Sequence, residues 1–352
     1  MAKRSRSSDE DFESDRVQGF PHPREAELLL GQDAALALVA AALRSGRPPH
    51  AWLITGPPGI GKATLAYRMA RYLLRYGATG EGAADLSVPR DDAVARQVEA
   101  RAHPGLLVLK RGLNPRTGKP QTELPVDEIR RLSGFFGMTS GAGGWRVAIV
   151  DPADDMNENA ANALLKQLEE PPQHAMLLLL SHRPGRLLPT IRSRCRRLDL
   201  RALPDDMVEN ALKRFLPDMD KDERAALARL SGGSIGAALT LADGDGAMLA
   251  GEADKLIDRA RDPDLVALHA LGEKIGRIRD GLSLYGDFLV QAMVTRVRAR
   301  ARDGGNAERW ATLAARLQEL FARADGLNLE PRQTVLTAAR LMAATARRGG
   351  SL

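Results

Sequence analysis

One loop constrains the fold of this chain more than any other feature. Residues Gly56 to Thr64 read GPPGIGKAT, and they stand between the short apolar run Ala51 to Thr55 and an amphipathic stretch that begins near Leu65. The spacing G-x-x-x-x-G-K between a strand and a helix is the signature of a phosphate-binding loop. Backbone N–H groups of such a loop curl around phosphate oxygens, and the helix N-terminus adds its positive end. The alternative is a Gly-rich turn that carries a solvated lysine, Lys62.

The loop predicts a nucleotide site with an incomplete metal position. The side chain after the lysine normally supplies a hydroxyl to Mg²⁺, but this position holds Ala63. Thr64 follows one residue later, and one helical step rotates a side chain by about 100°. We therefore expect ATP or ADP binding with little or no Mg²⁺. The predicted nucleotide-binding residues are Gly56, Gly59, Gly61, Lys62, Ala63, Thr64 and Asp151.

A second motif lies in the run RVAIVDP, Arg146 to Pro152. A buried strand that ends in an aspartate is typical of the Walker B motif, and Asp151 could orient a metal-bound water. The alternative for Asp151 alone is a loop carboxylate at a strand end. Active AAA+ ATPases have a glutamate next, which positions the attacking water, and here the residue is Pro152. Asp154 and Asp155 have the wrong offset to replace it.

The remaining pattern predicts the domain organisation. Short apolar strands alternate with helices up to about Arg201, which indicates a parallel, doubly wound sheet. Apolar spacing predicts a helix from Glu25 to Leu43, with Gly31-Gln32 opening its main part, and Asp243 begins a Gly-rich segment that resembles a linker. The predicted domains are a disordered tail (1–19), a P-loop domain (20–201), a helical lid (202–245) and an all-helical domain (246–352).

Composition limits the cellular setting. The chain has 352 residues and a single cysteine, Cys195, so an internal disulfide and a multi-cysteine zinc site are excluded. The polar N-terminus has no apolar signal segment and no stretch is long enough to span a membrane, which predicts a cytoplasmic protein without membrane partners. The net charge of +6 is compatible with nucleic-acid or acidic partners, and equally with a solvated, Arg-rich surface.

Two further runs carry a family resemblance. NENAANALLKQLEEPP (157–172) and LLLLSHRPGRLLPTIRSRC (177–195) resemble the clamp-loader family of AAA+ proteins. The resemblance implies an α/β AAA+ P-loop module with a parallel doubly wound sheet, a small helical lid and an all-α C-terminal collar domain. It also implies that Ser193 and Arg194 belong to a trans-acting arginine motif, in which Arg194 is an arginine finger. Without the resemblance, Arg194 reads as one exposed arginine among several. Ser181 occupies the sensor-1 position.

Three departures from that family point to a subunit without its own hydrolysis. Ala63 lacks the hydroxyl, Pro152 replaces the glutamate, and Gly236 stands where active members have a lid arginine. The segment that follows the P-loop helix, Gly77 to Ala102, has no cysteines that could bind zinc, so we expect no zinc site there. The resemblance then implies a non-motor subunit of the DNA polymerase III holoenzyme. Its partners would be delta and gamma/tau subunits in a hetero-pentamer and, through that complex, the sliding clamp and primer–template DNA.

Two other functions stay open at this level. Intact Gly61-Lys62 and Asp151 support a working AAA+ ATPase, such as a gamma/tau-type motor or a helicase-type enzyme, whereas Ala63, Pro152 and Gly236 oppose it. A small-molecule P-loop kinase is a third alternative. It needs a substrate pocket and lid chemistry that the sequence does not indicate, and it leaves the helical C-terminal third without a use.

The missing groups predict that the purified chain alone hydrolyses almost no ATP, because nothing in the sequence holds Mg²⁺ and aims a water together. A phosphate-release assay on the isolated protein measures this. Lys62→Ala should leave that background unchanged. A clear turnover that Lys62→Ala abolishes would instead identify a working ATPase.

Overall fold

The computed structural model describes residues 17, 20–79, 81–112, 121, 123–137, 144–242, 244–278, 281–302, 308–327 and 329–349. The predicted disordered tail, 1–19, lies outside these residues except for Val17. The chain divides into two compact units, which are described separately. One contains residues up to Pro217 together with Gly233–Gly236, and the other contains Asp218–Gly232 and the chain from Ala237 onward. The four-part domain division stays a prediction, since these two units do not separate a lid from a collar.

The first unit contains a five-stranded parallel sheet with the order β2-β3-β4-β1-β5. The predicted α/β fold class with a helical C-terminal part is confirmed. Parallel neighbours need helical crossovers, which the chain supplies between successive strands. The strands are β1 (Ala51–Thr55), β2 (Leu106–Leu109), β3 (Arg146–Val150), β4 (Ala175–Ser181) and β5 (Arg196–Asp199). The helices are α1 (Asp33–Arg44), α2 (Lys62–Tyr76), α3 (Ala93–Glu99), α4 (Val126–Gly137), α5 (Glu158–Glu169), α6 (Pro189–Arg194) and α7 (Asp205–Phe215).

Both faces of the sheet are buried, as expected for parallel strands covered by helices. Alternate residues of a strand point to opposite faces. In β1, Trp52 and Ile54 join a cluster with α1 and α2, while Ala51 and Leu53 join a second cluster with α4, α5 and α6. Every residue of β1 and of β4 is buried, so these two strands form the centre of the unit.

The predicted helix over Glu25 to Leu43 is wrong in its first part. A short 3-10 turn, Pro23–Glu25, is followed by non-helical chain, and α1 begins only at Asp33. Two buried arginines of α2 account for the difference. Arg71 donates to the carbonyl oxygens of Arg24 and Ala26, and Arg68 donates to that of Glu27. These carbonyl oxygens therefore accept hydrogen bonds from α2 instead of from the backbone N–H groups of a helix.

Among the residues that the structure describes, the secondary structure of the second unit consists of helices joined by short turns. Four apolar residues, Trp310, Leu313, Leu317 and Phe321, recur in the sequence at helical spacing, and all four are buried, as expected for ordinary bundle core. The helices are α8 (Lys221–Leu230), α9 (Ile235–Ala242, whose first two residues belong to the first unit), α10 (Gly244–Asp258), α11 (Leu265–Ile275), α12 (Gly281–Arg302), α13 (Glu308–Gly326) and α14 (Pro331–Gly349).

The linker predicted from Asp243 is wrong, because α10 occupies the segment from Gly244. Asp243 itself lies outside the described residues. A glycine inside a helix costs about 1 kcal/mol relative to alanine, which is why the composition suggested a linker. That cost is outweighed by the buried side chains on one face of the helix, which are Leu249, Ala250, Ala253, Leu256 and Ile257.

Among the described residues, none of the helices combines the length and the apolar character needed to cross a bilayer.

Candidate functional site

The phosphate-binding loop joins β1 to α2 at the carboxyl edge of the sheet, as predicted. Gly56 shows why the loop needs glycine. Its φ is +144°, and a Cβ there would lie 2.5 Å from the Cδ1 of Ile60 and 2.8 Å from the carbonyl oxygen of Leu200. Gly61 has a φ of +101° and sets the turn into α2. The loop therefore keeps a shape that larger residues cannot adopt, with the N-terminus of α2 directly behind it.

Lys62 lies inside this loop rather than in solvent. Its side chain is buried, and Nζ donates to the carbonyl oxygens of Gly56 at 2.7 Å and Pro57 at 2.6 Å. Burial lowers the pKa of Lys62 to about 8, although the Asp151 and Asp154 carboxylates act in the opposite direction. A buried ammonium group costs free energy, and a bound anion would lower that cost. The residues present therefore fit a nucleotide phosphate. The alternative of a solvated loop lysine is excluded.

The metal side of the site does not fit Mg²⁺ in the same way. Ala63 presents a methyl group and packs against the apolar cluster shared by α1 and α2. Asp151 follows β3, where its backbone N–H donates to the carbonyl oxygen of Leu109. The next residue is Pro152, and the Asp151–Pro152 peptide bond is cis. Of the residues expected to hold a metal and aim a water, Asp151 alone brings a suitable side chain to this edge.

Asp154 has a different role from the missing glutamate. Its carboxylate accepts a hydrogen bond from Ser181 Oγ at 2.6 Å and two more from the backbone N–H groups of His182 and Arg183. Asp154 thus ties the turn after β3 to the end of β4. The sensor-1 position, Ser181, is fully buried and committed to this contact. Neither side chain is free to orient a water at the loop.

His182 stands beside the loop as a neutral imidazole. Its pKa is lowered to about 4, first by burial and then by the positive charge of Lys62, while Asp154 opposes the shift. A second cation beside Lys62 is therefore disfavoured near neutral pH. The electrostatic pull on a phosphate comes from Lys62 and the loop backbone.

The start of α9 and the residues before it lie directly on the loop. We call this segment, Gly233–Gly236, the strap. Ser234 Oγ donates to the carbonyl oxygen of Pro58 at 2.9 Å, and the Gly236 N–H donates to that of Gly59 at 2.9 Å. A Cβ at Gly236 would lie 2.7 Å from the Cα of Gly59. A side chain at this position, where the resemblance implies a lid arginine in active members, would therefore meet the backbone of Gly59.

Arg194 lies far from this chain's own loop. Strand β5 begins at Arg196, which pairs with Trp52 near the start of β1, whereas the loop follows the end of β1. Parallel strands start at the same edge of a sheet, so Arg194 is at the amino edge and the loop at the carboxyl edge. About 3.3 Å per residue along β1 separates the two edges by more than about 10 Å. The structure does not bring Arg194 together with Lys62 and Asp151.

The arginine motif has one buried and one exposed side. Ser193 Oγ donates to the carbonyl oxygen of Thr190, and the Arg194 guanidinium donates to the same oxygen at 3.2 Å. Arg194 also forms an ion pair with Glu169 at 2.8 Å. Cys195 is buried, and burial raises the pKa of its thiol to about 12, so it acts as packing rather than as a nucleophile.

Several of these contacts were not predicted from the sequence. Asp154 was set aside because of its offset from β3, yet its hydrogen bond with Ser181 joins the turn after β3 to the end of β4. Ser234 and Glu169 carried no signal of their own. The pairing of Glu169 with Arg194 could have been suspected only by noting that both precede strands of one parallel sheet, β4 and β5, and so share an edge.

Comparisons with known proteins agree with this geometry. Residues 31–204 match a family model described as DNA polymerase III, delta subunit. The chain is 40% identical over 188 residues to DNA polymerase III subunit delta′ of Pseudomonas aeruginosa, which covers 53% of each chain. It is 36% identical over 207 residues to the delta′ subunit of Escherichia coli, which covers 59% of this chain and 58% of the relative.

Relatives with lower identity are named as the tau or gamma subunits of DNA polymerase III. The Escherichia coli DNA polymerase III subunit tau is 30% identical over 219 residues, covering 61% of this chain and 32% of the relative. The chain spans about half the length of the delta′ relatives that it matches. Residues 31–204, which the family model matches, contain the loop, the strand ends and the arginine motif.

The strap predicts an unusual sensitivity at Gly236. Gly236→Ala should lower the free energy of unfolding by about 1–3 kcal/mol, because the new methyl group must push the strap off Gly59. Urea unfolding and hydrogen exchange at the residue-236 amide measure this. The control is Gly185→Ala, where an added Cβ meets open space. Equal, small effects in both variants would show that the strap does not press on the loop.

The buried lysine predicts a pH dependence. Folded Lys62 loses its proton near pH 8, whereas the unfolded side chain keeps it until about pH 10.5, so stability rises with pH in that window. Relative to Lys62→Met, the free energy of unfolding of the wild type should rise by on the order of 3 kcal/mol across this pH window. Urea unfolding across the window tests this, with Lys166→Met at an exposed site as control. A difference that stays flat with pH would contradict a desolvated ammonium.

Proposed function

We propose that this chain, which resembles the delta′ subunits of bacterial DNA polymerase III, is a non-motor subunit of a cytoplasmic clamp loader. In this proposal it assembles with delta and gamma/tau subunits in a hetero-pentamer that loads the sliding clamp onto primed DNA. Its own P-loop binds ATP or ADP weakly, with little help from Mg²⁺ and no zinc. Its Arg194 enters the ATP site of an adjacent gamma/tau subunit.

One observation carries the proposal. Arg194 is at the sheet edge opposite the chain's own loop, and about a third of its side chain is exposed. An arginine finger stabilises the charge that spreads over a γ-phosphate during transfer. Since Arg194 cannot reach this chain's own loop, any nucleotide that it serves belongs to another subunit. Hydrolysis at that site would then depend on assembly.

The chemistry of the loop supports a non-motor role. Lys62 and the loop backbone can hold phosphate, but Ala63 has no hydroxyl and Pro152 has no carboxylate. The strap at Gly236 closes on backbone rather than supplying a lid cation. A chain of this kind contributes shape and one arginine to a ring, and the neighbouring subunits provide the turnover.

A gamma/tau-type motor is the second candidate, favoured by the intact lysine and by the 30% identity to subunit tau. Reconstitution distinguishes the two. The chain is mixed with delta and gamma/tau subunits, the complex is isolated, and clamp loading is measured with and without the chain. The proposal requires a stable complex whose loading depends on this chain. Failure to co-purify, or full motor activity by the chain in place of gamma/tau, would contradict it.

Arg194→Ala should leave ring assembly intact and abolish turnover at the ATP site that it serves. The expected loss at that site is about a thousand-fold or more, because the finger acts on the transition state. The DNA-stimulated ATPase of the assembled loader then falls by that site's share. Arg192→Ala, an exposed arginine on the same helix, is the control and should keep the full rate. An unchanged rate in Arg194→Ala would remove it from catalysis.

A further inference from the structure

We propose that Glu169 is the positioning residue for Arg194, so that α5 aims the finger across the subunit interface. This inference rests on the proposed function, because it concerns how the same arginine is presented to the neighbour's nucleotide. The ion pair joins Arg194 Nη2 and Glu169 Oε1 at 2.8 Å. Glu169 is the last residue of α5, and Arg194 is the last residue of α6.

Helices α5 and α6 both pack into the same core, which fixes the position of one helix relative to the other. Ile191 of α6 is fully buried, Cys195 follows it into the same cluster, and Leu164 and Leu168 of α5 belong to that cluster as well. The two backbones therefore hold Glu169 and Arg194 at a fixed spacing. Long surface arginines otherwise sample many rotamers, which costs free energy whenever one rotamer is required.

The contacts leave the guanidinium able to bind phosphate. A guanidinium has five N–H donors in a rigid fork. Glu169 Oε1 forms an ion pair with Nη2, and the Thr190 carbonyl oxygen accepts a hydrogen bond from Nη1. The fork geometry keeps further N–H groups for a γ-phosphate while the pair persists. The C-terminal end of α5 adds partial negative charge beside the cation.

The ion pair between Arg194 and Glu169 is weak enough to orient the arginine without preventing it from binding a phosphate. The Arg194 and Glu169 side chains are 37% and 51% exposed. Exposed pairs contribute little to stability and are screened by salt. The carboxylate can therefore orient the arginine before the neighbour docks without holding it back from phosphate. A deeply buried pair would resist that exchange.

The neighbouring carboxylate provides a matched control. Glu170 has the same charge and follows directly, and it is exposed. Removing it changes the charge of this surface by the same amount while leaving the Arg194 pair in place. Glu169→Gln is a second variant, since glutamine keeps the length of this side chain and a carbonyl oxygen at its end but removes the charge.

The test uses the assembled loader and its DNA-stimulated ATPase. We define the Arg194-dependent rate as the difference in ATPase rate between the wild-type loader and the loader that carries Arg194→Ala. Glu169→Ala should lower this rate by about two- to five-fold through kcat with little change in KM, as expected for losing an exposed pair that pre-aligns a transition-state contact. Glu169→Gln should retain more of it than Glu169→Ala, and Glu170→Ala should retain all of it.

Two further measurements exclude a merely structural role. Adding Glu169→Ala to Arg194→Ala should cause no additional loss, because a positioning residue acts only through the finger. Raising the salt concentration should lower the Arg194-dependent rate of wild type toward that of Glu169→Ala and affect that variant less. Additional loss in the double variant, or equal effects of Glu169→Ala and Glu170→Ala, would overturn the inference alone. An unchanged rate in Arg194→Ala would overturn the finger and this inference together.

Discussion

Parallel pairing of β1 with β4 on one side and β5 on the other is the constraint on which the arrangement of the functional groups depends. Since all strands run the same way, every strand end lies at one edge and every strand start at the other. The loop after β1, Ser181 at the end of β4 and Asp151 after β3 therefore meet at the carboxyl edge. Arg194 and Glu169, which precede β5 and β4, meet at the amino edge. One strand direction thus separates phosphate binding from the arginine.

At the carboxyl edge, geometry and electrostatics favour an anion but not its hydrolysis. Burial of Lys62 costs free energy, which the two loop carbonyls only partly offset, and a bound phosphate would relieve that cost. The surrounding polar groups are directed elsewhere. Asp154 caps the end of β4, Ser181 is bonded to Asp154, and the strap at Gly236 lies on the loop backbone. A site of this kind can bind a nucleotide and keep its shape, and in the proposed function the hydrolysis takes place at other subunits.

At the amino edge, the same core that buries Ile191 and Cys195 presents Arg194 outward. The thiol of Cys195 therefore contributes by packing, and its raised pKa follows from its burial. Burial of one side of α6 and exposure of the other is a simple way to hold a flexible side chain at the surface of the domain. Its partner Glu169 is held by the same core, so the orientation of the arginine depends on the packing of α5 and α6 and not on α6 alone.

The sequence by itself determined the P-loop, the alternation of buried strands with helices, and the loss of hydroxyl and carboxylate at Ala63 and Pro152. These follow from local spacing and residue chemistry, which a linear pattern carries completely. Tertiary structure decided the rest. It placed α1 at Asp33 because Arg68 and Arg71 take the preceding carbonyls, and it made α10 helical because one face is buried. It also joined Glu169 to Arg194 and Gly236 to Gly59, since contacts between residues distant in sequence depend on which edge or turn the fold brings together.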